Sequence, residues 1–540
     1  MVVLGVVMRL AVPSALKSRR SASGVVAAVA AASLAVAGCG GGQASTGAGA
    51  GDVAGFIPAG SPVYFELSTD LGGAQWTQAV ALAKRFPGYG KLVTSITDEL
   101  ADDKIDFQGQ IKPLLGPAAG IGVFDVKGLA NGDPDPSVVG AIDLADGKEA
   151  DFLELIQTGK DPATKVGRHD GVDLYGDSDA TFAVLDGTVL VSDTKERVNR
   201  AIDAHRGGES QTMAGSAKLD EAFAELPDEV LAQGFIDIGA IVRLAGAAGG
   251  EALAKQLKNS GLGADAVLGL SVSAEADGVR IKAVGLNVGK AVGATESFTP
   301  KLVEKVPADA IAYVGLKNAY SLGEQAIKQF GGQDPEVKKG LSQASLVLPL
   351  LGINLDDIKG LTSLEHAVVV TKGAKLPGVV VALEVADPAK AGATLDALRK
   401  SVPALIEKGG TKVPAFAEVE LANGVSGWQS AITPKAGVVY GIDGNVAFIG
   451  TLPEAVKQVQ APVSRLTDDP AYQAAIRQMP SKVDSLVWLN GEELLTTLDA
   501  LGALKDAPND VIANIRPLKN LAAWSTGGEK PTFEAFLTIK

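Results

Sequence analysis

Few residues in this chain could do chemistry. Its 540 residues include three histidines and one cysteine. His169 lies in Gly167-Arg168-His169-Asp170-Gly171, which reads as a hairpin tip. His205 sits near the end of a helical stretch, where a cation complements the helix dipole, and His366 opens a strand at Leu364-Glu365-His366. No two of them have metal-ligand spacing, so surface or capping roles are expected rather than those of ligand or general base. Ser192-Asp193-Thr194-Lys195 has the Ser-x-x-Lys spacing in which a lysine activates a serine nucleophile. The matching place later in the chain holds Gly450-Thr451-Leu452-Pro453, and capping of the following helix explains both. Two acidic loops, Asp133-Pro134-Asp135 and Gly176-Asp177-Ser178-Asp179, lack the spaced ligands of a calcium loop. No glycine-rich stretch carries the Lys and Ser/Thr of a phosphate-binding loop. Asp237 and Asn490 follow corresponding strands and read as helix caps. No catalytic, cofactor-binding or metal-binding residue is assigned, and an enzyme is not expected.

The single cysteine is Cys39. Lys17-Ser18-Arg19-Arg20 forms a positive end, and Ser21 to Gly38 carry no charge. Val36-Ala37-Gly38-Cys39 then resembles a bacterial lipobox. A charged end stays in the cytosol, an apolar middle enters the membrane, and small residues fit the signal peptidase. Cleavage is expected between Gly38 and Cys39, with diacylglycerol on the thiol and two acyl chains as the anchor. The apolar run is short for a spanning helix and rich in Ala rather than Leu, which disfavours an uncleaved anchor. Arg19-Arg20 lacks the surrounding twin-arginine consensus, and Met8 offers a second start for a shorter signal. Gly40 to Gly51 is a Gly/Ala tether, and residues 39–54 reach about 20 Å as a flexible coil.

Two or three domains are expected from this length. With 46% hydrophobic and 21% charged residues the chain is globular. Aromatics are only 5%, so small and branched aliphatics must build the core. With Cys39 as the only thiol, no disulfide can staple the fold. Residues 1–38 contain four positive charges and no acid; removing them takes the net charge from -14 to -18. Such an acidic body repels nucleic-acid phosphates and gives no polybasic grip on anionic lipid.

The strongest internal feature is a duplication. Ile57-Pro58-Ala59 with Val63-Tyr64-Phe65-Glu66-Leu67 matches Val306-Pro307-Ala308 with Ala312-Tyr313-Val314-Gly315-Leu316. Ala83-Lys84-Arg85-Phe86 matches Ile327-Lys328-Gln329-Phe330, and Ala141 to Asp146 match Ala382 to Asp387. Asp186-Gly187 matches Asp443-Gly444. Leu226-Pro227 with Phe235-Ile236-Asp237 matches Met479-Pro480 with Trp488-Leu489-Asn490. Signal (1–38), tether (39–54) and two related halves (55–290 and 300–540) therefore make up the chain. A fainter echo of apolar-Pro, spacer, strand and helix recurs at Pro58, Pro227, Pro307 and Pro480.

Alternation marks half-buried strands at Val279, Ile281 and Ala283, and again at Phe533, Ala535, Leu537 and Ile539. Asp186-Gly187 and Asp443-Gly444 between apolar runs signal tight hairpins. Asp146 and Asp387 read as helix N-caps, the second with Pro388 at the first helical position. Hairpin-linked strands with interspersed helices read as α+β with a mainly antiparallel sheet.

Four features of the first half, taken together, carry a resemblance. They are the Pro58 strand, Ile111-Lys112-Pro113-Leu114-Leu115-Gly116, the Asp186-Gly187 hairpin running through Val189 to Asp193 into a helix near Ala201-Ile202, and Leu226-Pro227 with Phe235-Ile236-Asp237. They resemble the bacterial family known as domain of unknown function 3352. The second half departs from it at Ile358-Lys359-Gly360-Leu361-Thr362. The resemblance implies an actinobacterial-type envelope protein with a lipoprotein signal or membrane anchor, and it implies no activity. The expected role is thus non-catalytic binding or scaffolding at the outer face of a membrane, toward an envelope protein or lipid and without a cofactor. The alternatives are carriage of a lipid or other apolar molecule and, behind it, an enzyme with a site in one half only.

Overall fold

The computed structural model describes residues 52–102, 105–125, 137–158, 162–177, 180–247, 263–289, 296–318, 355–373, 376–408, 414–433 and 436–540. Gly38, Cys39, residues 40–51 of the tether and Asp133-Pro134-Asp135 lie outside the described residues. Asp52–Phe56 is a short 3-10 helix with Val53 and Ala54 fully buried in the core, so residues 52–54 belong to the first unit and not to the tether. The described chain is α+β, with antiparallel sheet throughout. It divides into two compact units, the first running to residue 291 and taking in Ile539–Lys540 as well, the second running from 292 to 538.

In the first unit the strands are β1 (Val63–Ser68), β2 (Leu115–Asp125), β3 (Ser137–Leu144), β4 (Thr164–His169), β5 (Val172–Gly176), β6 (Thr181–Leu185), β7 (Thr188–Ser192), β8 (Ala232–Asp237), β9 (Val267–Glu275) and β10 (Gly278–Leu286). Their spatial order is β10-β9-β8-β1-β2-β3-β7-β6-β5-β4. The second unit has β11 (Ala312–Lys317), β12 (Glu365–Thr371), β13 (Gly378–Glu384), β14 (Ala417–Glu420), β15 (Ser426–Thr433), β16 (Ala436–Asp443), β17 (Val446–Gly450), β18 (Ser485–Asn490), β19 (Leu518–Thr526) and β20 (Thr532–Ile539). Their order is β20-β19-β18-β11-β12-β13-β17-β16-β15-β14, position for position that of the first unit. The strands after Pro58 and Pro227 are neighbours, β1 beside β8. Those after Pro307 and Pro480 are likewise β11 beside β18.

Helices cover the sheets by the usual stripe of apolar residues three and four apart. In the first unit α1 (Ala74–Ala83), α2 (Tyr89–Asp102), α3 (Glu149–Thr158), α4 (Lys195–Arg206), α5 (Ala217–Phe223) and α6 (Ile238–Ala247) occur. Helix α4 buries Val198, Ala201 and Ile202 against Tyr64, Leu190 and Phe235. The opposite face, with Ile142, Val189 and Val191, is closed by Phe152 and Ile156 of α3. In the second unit the helices are α7 (Leu355–Leu361), α8 (Pro388–Lys408), α9 (Pro453–Gln460), α10 (Pro470–Ala475), α11 (Gly491–Ala500) and α12 (Asn509–Ile515). Here α9 buries Ala455, Val456 and Val459 in a cluster with Tyr313, Phe448 and Trp488. Each large apolar side chain so buried contributes roughly 1.5–3 kcal/mol.

Local signals and structure differ in four places. Asp387 accepts from the Lys390 amide at 3.0 Å, as a cap should, and α8 begins at Pro388. Asp146, by contrast, sits in a turn closed by Gly147 at φ +72°, and Lys148 takes the position before α3. Asp186 and Gly187, both left-handed at φ +48° and +78°, are the two turn residues between β6 and β7. In the second unit Asp443 pairs with Val446, so the turn is Gly444-Asn445, and the match with Asp186-Gly187 moves by one residue. On β10 the core face is the one carrying Arg280, Val284 and Leu286, while Ile281 is exposed. The Arg280 guanidinium meets Glu275 at 2.5 Å, which lets a charged residue take an inward position. On β20, Phe536 joins the core and Phe533 is exposed.

Candidate functional site

The residues singled out for chemistry do not converge. His169 closes β4, where its Nε2 lies 2.6 Å from Asp203. His205, in the last turn of α4, stacks on Phe56 with ring centres 4.0 Å apart. Its Nδ1 is 2.9 Å from the Gly55 carbonyl and its Nε2 3.1 Å from Asp186. Both are tied to neighbouring loops and helix ends. His366 is not a surface residue; it is buried in β12, and neither ring nitrogen has a hydrogen-bond partner of normal geometry among the described residues. Burial pushes its pKa down, so it stays neutral.

Ser192 is fully buried and donates to the Val138 carbonyl at 2.6 Å, whereas Lys195 is exposed. The lysine is therefore not placed to take the serine proton. The capping expected there is not made by a side chain either. Thr194 precedes α4 without a side-chain bond, and Leu452 precedes α9 in the same way. Asp193 instead pairs with Arg197 one turn on. Asp237 Oδ1 accepts from the Ala240 amide at 2.7 Å, and Asn490 Oδ1 accepts from the Glu493 amide at 3.1 Å, so both cap helices. Of the acidic loop at 176–179, Asp177 closes a turn on the Ala180 amide; Ser178 and Asp179 lie outside the described residues. No group of three His, Cys, Asp or Glu converges to hold a metal among the described residues.

Two features went unread in the sequence. The first is a cleft of about 680 Å³ in the second unit. Pro307 and Asp309 before β11, Lys457 on α9, Val463 in the following loop, and Asn490 and Glu493 at the start of α11 line it. Its wall is fixed by main-chain bonds, Ala308 N to Ser464 O at 3.0 Å and Leu466 N to Val306 O at 2.8 Å. Val463 is fully exposed at its rim, and Glu493 is paired with Lys372 at 2.8 Å. A lining of mixed polar and apolar residues with charges of both signs suits a polar ligand with some apolar surface.

The second is a buried acid beside the central tyrosine of each sheet. In the first unit the Tyr64 hydroxyl donates to Glu66 Oε2 at 2.7 Å. Burial first, and then the charges of Glu66 and Asp143, hold that hydroxyl protonated. In the second unit Gly315 stands where Glu66 does; a β carbon there would fall 2.1 Å from the Tyr313 hydroxyl. The acid comes instead from the adjacent strand, as Glu365, where the first unit has Ala118. Glu365 is 3% exposed and accepts from the Lys301 amide at 2.8 and 3.0 Å and the Leu302 amide at 2.9 Å.

Burial pushes the Glu365 pKa up to about 7. Below the ordinary carboxyl value, near 4.5, both folded and unfolded states hold the proton, and stability is unaffected. Between there and pH 7 the unfolded state gives it up first, so stability falls as pH rises, by about 3 kcal/mol. The pH dependence of unfolding should show this slope in the native chain and lose it in Glu365→Gln. A slope unchanged by the substitution would assign it elsewhere.

Residues 21–534 match the family described as a protein of unknown function, DUF3352. The chain belongs to that family. The match spans both units of this DUF3352 protein, and the family description carries no activity. None of the curated proteins matches the chain. Solved structures of TP0453 are similar over part of it. Crystal form I has 10% identity and a TM-score of 0.25, covering 47% of this chain and 89% of that one. Crystal form IV has 9% identity and a TM-score of 0.24, covering 45% and 93%. Likeness at that level transfers neither fold nor function. No helix among the described residues is long and apolar enough to cross a membrane.

Proposed function

We propose that this protein is an exported lipoprotein, held at the outer face of a bacterial membrane through Cys39, that acts there by binding rather than catalysis. The two units are copies of one ancestral unit, which accounts for their identical strand order. The anchor reading rests on the only cysteine of the chain closing an uncharged stretch after Lys17, Arg19 and Arg20. The binding reading is carried by one observation, the cleft around Pro307, Val463 and Asn490. Its charged lining favours a protein or peptide of the envelope over an acyl chain.

The test is crosslinking in intact cells with the full chain, comparing wild type with Val463→Asp and Ala461→Trp. Both positions are exposed, so the fold should tolerate either change. A partner captured by wild type and reduced at least tenfold in both variants supports the reading. Identical capture by all three places binding elsewhere, and a single homogeneous lipid in the native mass of detergent-free protein would favour carriage instead.

A further inference from the structure

We propose that β4 of one molecule docks beside β14 of a second copy of this chain, joining copies head to tail. Among the described residues β4 pairs only with β5, and β14 only with β15. Each strand therefore presents one row of main-chain N–H and C=O groups outward, the template for strand addition. Their side chains carry opposite charge. β4 reads Thr164-Lys165-Val166-Gly167-Arg168-His169, and β14 reads Ala417-Glu418-Val419-Glu420.

A bulge fits the two strands together. On a regular strand residues three apart point to opposite faces, which would separate Lys165 from Arg168. Here the register shifts between Lys165 and Gly167, so that Lys165 stands opposite Tyr175 and Arg168 opposite Asp173. Tyr175 and Asp173 are two apart on β5, so the cations share a face at a ladder spacing of two. Both reach Asp173, Lys165 at 2.6 Å and Arg168 at 3.4 Å, as a shared face requires. Glu418 and Glu420, opposite Trp428 and Ser426, share a face of β14 at the same spacing. Between the charges, Val419 lies level with the bulge at Val166-Gly167, where Val166 is exposed. Side by side, the strands set cation, valine, cation against acid, valine, acid.

The charges also select which edges meet. Lys165 and Arg168 share the one acid Asp173 and stay more than half exposed. Glu418 and Glu420 are exposed and form no ion pair among the described residues. β4 against β4 sets cation opposite cation, and β14 against β14 sets acid opposite acid; both are unfavourable. The mixed contact is the attractive one, so docking is heterologous and can repeat into a row of copies. At physiological salt, charges more than about 8 Å apart are screened. The overall -18 of the mature body then opposes the contact less than the touching pairs favour it.

Sedimentation velocity of the full chain in detergent at physiological salt, from low micromolar to submillimolar protein, tests the docking. The wild-type mass should rise with concentration. Lys165→Glu with Arg168→Glu, and separately Glu418→Lys with Glu420→Lys, should each weaken association about thirtyfold or more, because two attractive pairs become repulsive. An equimolar mixture of the two variants should associate again, since each supplies the edge the other lacks. A wild type that stays monomeric throughout overturns the docking. Association unmoved by either swap, as sharing of a micelle would give, overturns it too, and so does a mixture that fails to recover. Thermal unfolding checks that each variant is folded. Should a double variant not fold, the single changes Arg168→Glu and Glu418→Lys carry the same comparison.

Discussion

Replacing Cys39 by alanine is expected to remove the lipid anchor, so that any chain still processed leaves the membrane completely. On the proposed anchoring, the thiol carries diacylglycerol, and each buried methylene contributes about 0.8 kcal/mol, so two chains anchor the protein stably. No other feature of the sequence replaces that hold. The mature body is acidic, at -18 once the four leading cations are gone, so it gains nothing from anionic headgroups. Fractionation of exporting cells should move the variant from membrane pellet to supernatant or leave it as unprocessed precursor. A variant that is processed and still pellets fully would show that something other than Cys39 holds it.

Trp488→Ala should be the most damaging single core change in the second unit. Trp488 is 1% exposed, pairs across strands with Tyr313, and meets Tyr472 edge-on at 5.3 Å. Deleting so large a ring costs about 3–5 kcal/mol, a large share of a typical domain's stability. Trp488→Phe should cost far less, about 1 kcal/mol. The corresponding residue of the first unit is Phe235, paired with Tyr64. The indole N–H of Trp488 is buried without a partner among the described residues, so phenylalanine also removes an unsatisfied donor. Urea unfolding followed by unit-resolved hydrogen exchange separates the two units, which need not unfold together. Equal losses for Ala and Phe would mean that the indole nitrogen matters more than the ring.

The readable parts of the fold were those decided by neighbours in sequence. Prolines at 58, 227, 307 and 480 marked the strands that lie side by side in each unit, because the residues around a proline have few conformations. Asp186-Gly187 announced a turn that only left-handed residues make. Phase was harder. On β10 the alternation was visible, but which side faced inward depended on Glu275 across the hairpin, since that carboxylate makes the inward Arg280 tolerable. Glu365 was opaque for a related reason. A Glu-His pair at the start of a strand reads as solvated, and its burial comes from a segment more than sixty residues earlier in the chain. The cleft joins residues near 307, 457–464 and 490–493, and no local pattern links them.

The intact mass of the N-terminal peptide, released by protease from protein purified out of membranes, tests the proposed anchoring most directly. The anchored reading predicts a peptide that begins at Cys39 and carries the mass of a diacylglyceryl group on sulfur. A peptide that begins upstream of Gly38, or an unmodified Cys39 thiol, would contradict it.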